Sequence, residues 1–330
     1  MARRGNRDPA TLPAAKFIRD YGLRLLGNAD KAVVRFHDRD DSKALHDVRV
    51  ALRRLRGWLR AFDGLLSLEP KQLHRLRRIA HSTNGARDAE ISLEWLARLE
   101  SGPELRNIPS TDAMARGLAV IRDEQYRRVR RELPGTWKNL SARLRRSLRR
   151  RGTPDGGMPF MEAYGDALQR QARHLETTFE EARRKPDPEH IHRLRIAVKK
   201  TRYLLEAILP WRKEFASQVK QLTVLADQAG QIQDLQRFIE LAEKVHLRQA
   251  RARYRRLLER YMDAADDVIL PPLDAHLSLL PLLSTCRAAA IRQANCLSKL
   301  RHRYLGRRRP LPVRELRRRL LGLQRDSTRR

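Results

Sequence analysis

The chain has 330 residues, with 71 Lys and Arg against 39 Asp and Glu, a formal net charge of +32, and only 5% aromatic residues. A balance this one-sided points to polyanionic partners, while the shortage of aromatics argues against base stacking as the main grip. Cys286 and Cys296 form neither a disulfide framework nor a four-ligand zinc site and suit a reducing cytoplasm.

Apolar residues recur at spacings of three and four along nearly the whole chain, and period-two alternation is absent, so the expected fold class is all-α. Helices are expected over 13–37, 42–67, 70–83, 88–100, 109–150 with a break at Pro134 and Gly135, 159–185, 188–209, 212–229, 232–265, 273–305 and 312–324. The Gly- and Pro-rich stretch 151–159 reads as a linker. It divides the chain into a first helical half, 15–150, and a second, 160–305, followed by a basic tail, 306–330. No membrane span is expected, because the most apolar stretch, 267–286, is interrupted by Pro271, Pro272, Asp274, His276 and Pro281. The charged N-terminus lacks the apolar run of a secretory signal.

The two halves align without a gap at a constant offset of 146 residues. "HDVRVALRRLR" at 46–56 falls on "HRLRIAVKKTR" at 192–202, and the register continues from Leu59 onto Leu205, Ala80 onto Ala226 and Asp88 onto Asp234. An internal repeat is therefore expected. Asp41 and Asp187 are the expected N-caps of the two motif helices, with Pro188 at a first helical position.

At about 100° per residue, His46, Arg49, Arg53, Arg56 and Arg60 share an arc of roughly 80°, beside an apolar arc made by Leu45, Val48, Leu52, Leu55 and Leu59. His192, Arg195, Lys199 and Arg202 fall on the same arc of the second helix, where Glu206 takes the place of Arg60. Arg54 and Lys200 point about 80° the other way and read as flanking residues. A solvated face normally mixes signs to form pairs at i and i+4; the first row has no acid in it, and its like charges repel until an anion arrives.

These motifs, each spelled H-x-x-R-[VI]-A-x-[RK]-[RK]-x-R, resemble the CHAD domain family, and "NGARDAEISL" and "GQIQDLQRFI" resemble the segment that follows its next helix. The resemblance implies two pseudo-twofold-related helical bundles whose motif helices face one basic surface, and binding of inorganic polyphosphate there. By the same resemblance the contacts are His46, Arg49, Arg53 and Arg56 with His192, Arg195, Lys199 and Arg202. The helix wheel adds Arg60. Arg24 and Arg170, in repeat register, extend the candidate set, as do Arg54 and Lys200. Association with polyphosphate granules in the cytoplasm is the location the family implies.

A lone histidine among arginines is a poor cation site, so no metal and no cofactor are expected; the imidazoles are better suited to donate to phosphate. Asp88 and Asp234 are expected to anchor a motif side chain, since an aspartate would repel phosphate. No phosphate-binding Gly-rich loop, zinc-protease motif or carboxylate cluster for magnesium is present, nor is the E-x-E-x-K signature of the triphosphate tunnel enzymes. The chain is therefore not expected to be an enzyme. A nucleic acid, held through its backbone by the same arginines, is the competing partner, and an accessory role in polyphosphate metabolism is a third reading.

Overall fold

The computed structural model describes residues 12–37, 41, 43–102, 111–150, 158–262 and 280–306. Among them the chain forms helices α1 (Ala14–Arg35), α2 (Ala44–Ala61), α3 (Pro70–Ser82), α4 (Asn84–Glu100), α5 (Asp112–Arg149), α6 (Phe160–Arg184), α7 (Pro188–Ile208), α8 (Ala216–Met262) and α9 (Leu280–Leu300), with a π-type turn at Arg301–Leu305. The fold class is all-α. Among the described residues the extended pairing is one bridge between Pro13 and Pro159. The linker up to 157, the start of the helix expected at 273, the helix at 312–324 and the tail beyond 306 lie outside the described residues.

Two expected breaks are absent. Helix α5 runs through Pro134, although an interior proline removes a backbone donor and costs about 3 kcal/mol. Burial of Val129, Leu133, Trp137, Leu140, Leu144 and Leu148 along one side offsets that penalty, and each fully buried Leu contributes about 2 kcal/mol. Helix α8 likewise runs unbroken where two helices meeting near 230 are expected. Gly230 does not end it; the Arg195 guanidinium lies over it, where a Cβ would make ordinary contact at 3.4 Å.

Two compact units form: one from residues up to 84, 129–230 and from 299, the other from 85–128 and 231–298. Each draws on both sequence halves. In the first, α1 packs on α2 and α6 on α7, and the pairs meet through α1 with α6 and α2 with α7. The apolar arc of α2 is buried as its spacing dictates, with Leu45, Val48, Leu52, Leu55 and Leu59 inside. The α1–α2 pair is tied by Trp58 Nε1–H donating to the Ile18 carbonyl at 3.0 Å, and the α6–α7 pair by the Tyr164 hydroxyl donating to the Leu204 carbonyl at 2.8 Å. Ile18 and Tyr164, and Trp58 and Leu204, are each 146 apart. At the bridge, Ala14 N–H donates to Met158 O at 2.9 Å and Phe160 N–H to Leu12 O at 3.0 Å.

In the second unit α4, the first part of α5, the later part of α8 and α9 enclose a core that includes Trp95, Leu99, Met114, Leu118, Phe238 and Val245. A Cβ at Gly117 would overlap Val245, so this glycine sets how closely α5 and α8 approach. Arg248 forks onto Glu124 at 2.9 and 3.1 Å across the same pair.

Candidate anion-binding site

The two motif helices begin differently. Asp187 caps α7 by accepting the His190 backbone N–H at 2.9 Å and the His190 imidazole at 2.6 Å; these bonds hold its carboxyl at a pKa of about 2. Asp41 is not the cap of α2, whose N-cap is Lys43. Its carboxylate pairs with Arg35 and accepts the Lys43 backbone N–H at 2.9 Å. The expectation of matching caps is corrected to one cap and one ion pair in the preceding turn.

On α2, His46 is exposed at the first turn, and Arg49, Arg53 and Arg56 are half-buried. Arg49 donates from Nη1 to Thr83 Oγ1 at 3.0 Å and Asn84 Oδ1 at 2.8 Å. Arg195 lies over Gly230 of α8, whereas Arg49 ties α2 to the junction of α3 and α4. Arg53 Nη1 comes to 3.5 Å from the Tyr203 hydroxyl. The Arg56 guanidinium is pushed down from its ordinary pKa, first by burial and then by Arg53, Arg77 and Arg60. Arg60 is exposed at the end of the helix.

On α7, His192 and Lys199 are half-buried. Arg202 lies over the Tyr203 ring at 5.0 Å, meets Glu206 at 3.2 Å and donates to Thr223 Oγ1 at 3.4 Å. Glu206 also holds Arg54 at 2.8 Å, so one carboxylate serves an arginine from each motif helix.

Arg54 is exposed and Lys200 half-buried. Lys200 is pushed down by burial and then by Arg60 and Arg56, which puts a second-half lysine beside the end of the first-half row. An angle about one helix axis says nothing about the neighbouring helix. Arg54 and Lys200 also border a cavity of ≈ 390 Å³ between α1, α2 and α7, together with Arg24, Tyr21, Trp58 and Tyr203. Arg24 stacks on Tyr21 at 4.3 Å, and Arg54 lies over Tyr203 at 5.7 Å. Arg170 is exposed on α6. Asp88 and Asp234 belong to the second unit.

Sequence reasoning overlooked Arg77, Gly57 and the tyrosines. The repeat register held a signal for the first: Arg77 aligns with Thr223, and these are the residues that Arg56 and Arg202 face. Among the described residues no group of three His, Cys, Asp or Glu comes together to hold a metal ion, and no helix is long and apolar enough to cross a membrane.

Helices α1 to α9, with paired α1–α2 and α6–α7 among them, define an all-helical protein. The CHAD domain family model matches residues 21–243, well over half the chain, and the protein belongs to that family. Its fold is similar to the crystal structure of the CHAD domain from the plant Ricinus communis, with a TM-score of 0.59 and 18% identity over 89% of this chain and 92% of that one. No curated protein matches the chain.

Proposed function

We propose that this protein binds inorganic polyphosphate without altering it chemically, along a basic surface built from α2, α3 and α7. The observation that carries the reading is the cluster of Arg53, Arg56, Arg60, Arg77 and Lys200. Burial and then these neighbouring charges push Arg56 and Lys200 down from their ordinary pKa values, and no carboxylate is among the causes of either shift. A bound polyanion would relieve the repulsion and accept charge-assisted hydrogen bonds from the arginine forks, with Lys200 acting as a point charge. A flexible phosphate chain presents its charges densely enough to match arginines spaced one helical turn, about 5.4 Å, apart. Family membership, with its association with polyphosphate, supports the same ligand.

Within this reading the chain is an internal repeat, whose bundle pairs descend from one ancestral half. The motif contacts are His46, Arg49, Arg53, Arg56, Arg60, His192, Arg195, Lys199 and Arg202, and the site of action is the cytoplasm, at polyphosphate granules. The test is a competition titration at fixed ionic strength with phosphate units equalised. Polyphosphate should displace single- and double-stranded nucleic acid, and affinity for each should fall steeply with salt. Sequence-dependent nucleic-acid binding that survives excess polyphosphate would overturn the reading. Release of phosphate from polyphosphate in the presence of divalent metal would overturn its non-enzymatic part.

A further inference from the structure

The cavity between α1, α2 and α7 carries chemistry that a bare phosphate chain does not use. Its walls include two flat stacked pairs, Arg24 on Tyr21 from α1 and Arg54 over Tyr203 from α2 and α7. Apolar surface from Trp58 and Leu204 completes it. Polyphosphate has no apolar face to cover that surface; an aromatic ring does, and guanidinium planes are surfaces on which nucleobases stack. A volume of ≈ 390 Å³ falls in the usual range of small-molecule sites, about 300–1,000 Å³.

Two further observations point to an occupant. Gly57 borders the cavity in the middle of α2, and a Cβ there would meet nothing within 4 Å. Glycine within a helix is destabilising relative to alanine, and here no close packing calls for it; its effect is to keep the space open. The cavity is also anion-ready at one edge. Arg54 is paired with Glu206, whereas Lys200 feels Arg60 and Arg56, so the open space leads through Lys200 toward those two charges.

We propose that this cavity is a nucleoside-phosphate site, with the base between the Arg24–Tyr21 and Arg54–Tyr203 pairs and the phosphates running past Lys200 toward Arg56 and Arg60. Asn28 at the rim offers both a donor and an acceptor to the base edge. The site shares its phosphate end with the proposed polyphosphate surface, but recognition of the base stands independently of that reading.

The experiment is calorimetric titration of the full chain with adenosine triphosphate and with inorganic tripolyphosphate, ligands of similar charge that differ by the nucleoside. Wild type should bind adenosine triphosphate about tenfold tighter or more, the scale of one stacked base. Gly57→Leu should erase that preference by filling the cavity, leave long-chain polyphosphate affinity within about twofold, and melt no lower than wild type because it removes a helical glycine. Tyr203→Leu should also reduce the preference.

Equal affinities for the two ligands, or a preference that survives Gly57→Leu in a folded variant, would overturn the proposal while leaving polyphosphate binding untouched. Base-dependent binding by a protein that fails to bind long-chain polyphosphate would support this site and sink the function proposed above.

Discussion

The ends of the two motif helices differ in the charges that surround them. On α2, Arg56 faces Arg77 and Arg60; on α7, Arg202 faces Thr223 and Glu206. Both positions are half-buried, so burial alone does not distinguish them. One scaffold thus holds an arginine among other cations and an arginine paired with a carboxylate, which teaches that two spellings of one basic motif need not be electrostatically equal. Under the proposed function the first end takes an external anion, whereas the second already has an internal one in Glu206.

The largest test of that difference is charge removal at the paired arginines. Arg56→Ala should weaken polyphosphate binding by about tenfold or more, since a charge-assisted contact contributes about 1.5–3 kcal/mol. Arg202→Ala should cost less, because that guanidinium already has Glu206. Arg54→Ala, which also frees Glu206, should fall below Arg56→Ala for the same reason. Equal losses at all three in a titration at fixed salt would reduce the site to a diffuse basic cloud.

Glu206→Gln would sharpen the comparison from the other side. Releasing Arg54 and Arg202 from one carboxylate should tighten polyphosphate binding about fivefold, on the scale of a single exposed charge contact. An unchanged affinity would mean that the second end lies off the ligand's path.

The two helix starts give a stability comparison. Asp187→Ala should lower unfolding free energy by about 1 kcal/mol through loss of the α7 cap, and Asp41→Ala should lower it less, as Asp41 does not cap α2. Because the Asp187 pKa is depressed to about 2 in the folded chain, below an unfolded value of roughly 3.9, its charge-linked contribution is present above pH ~4. That contribution is lost as pH falls through about 2. Exposure keeps it small, and thermal melts from pH 5 to 2 should flatten in Asp187→Asn, which retains capping ability without the charge.

The smallest effect should come from copying one half into the other. Arg77→Thr removes a like charge from beside Arg56, so the free protein should gain a few tenths of a kcal/mol in a denaturant titration while its polyphosphate affinity falls. A loss of stability would show that Arg77 is held by something other than the repulsion argued here.

Much of the helical framework was legible because periodicity reports burial directly: the apolar arc of α2 is the buried arc, and Asp187–Pro188 starts α7 where cap chemistry puts it. The boundaries that failed were those read from Pro134 and Gly230. A proline or glycine lowers helix propensity locally, but packing along the rest of α5, and burial of Leu225, Ala229, Ile232 and Leu235 along α8, outweigh it. The placement of Arg49 and Arg195 was half legible. Their shared register was evident, yet their reach to Asn84 and Gly230 depends on how each motif helix packs.

The sequence by itself determined the all-helical class, the family, the offset of 146 and the row of positive charge along each motif helix, because all of these follow from residue order and a fixed turn per residue. Tertiary structure alone decided which charges meet. It brought Lys200 beside Arg56 and Arg60, set Glu206 between Arg54 and Arg202, and opened a cavity next to Gly57. Charge–charge interactions depend on distance in space, and that distance was fixed only when α1, α2 and α7 came together.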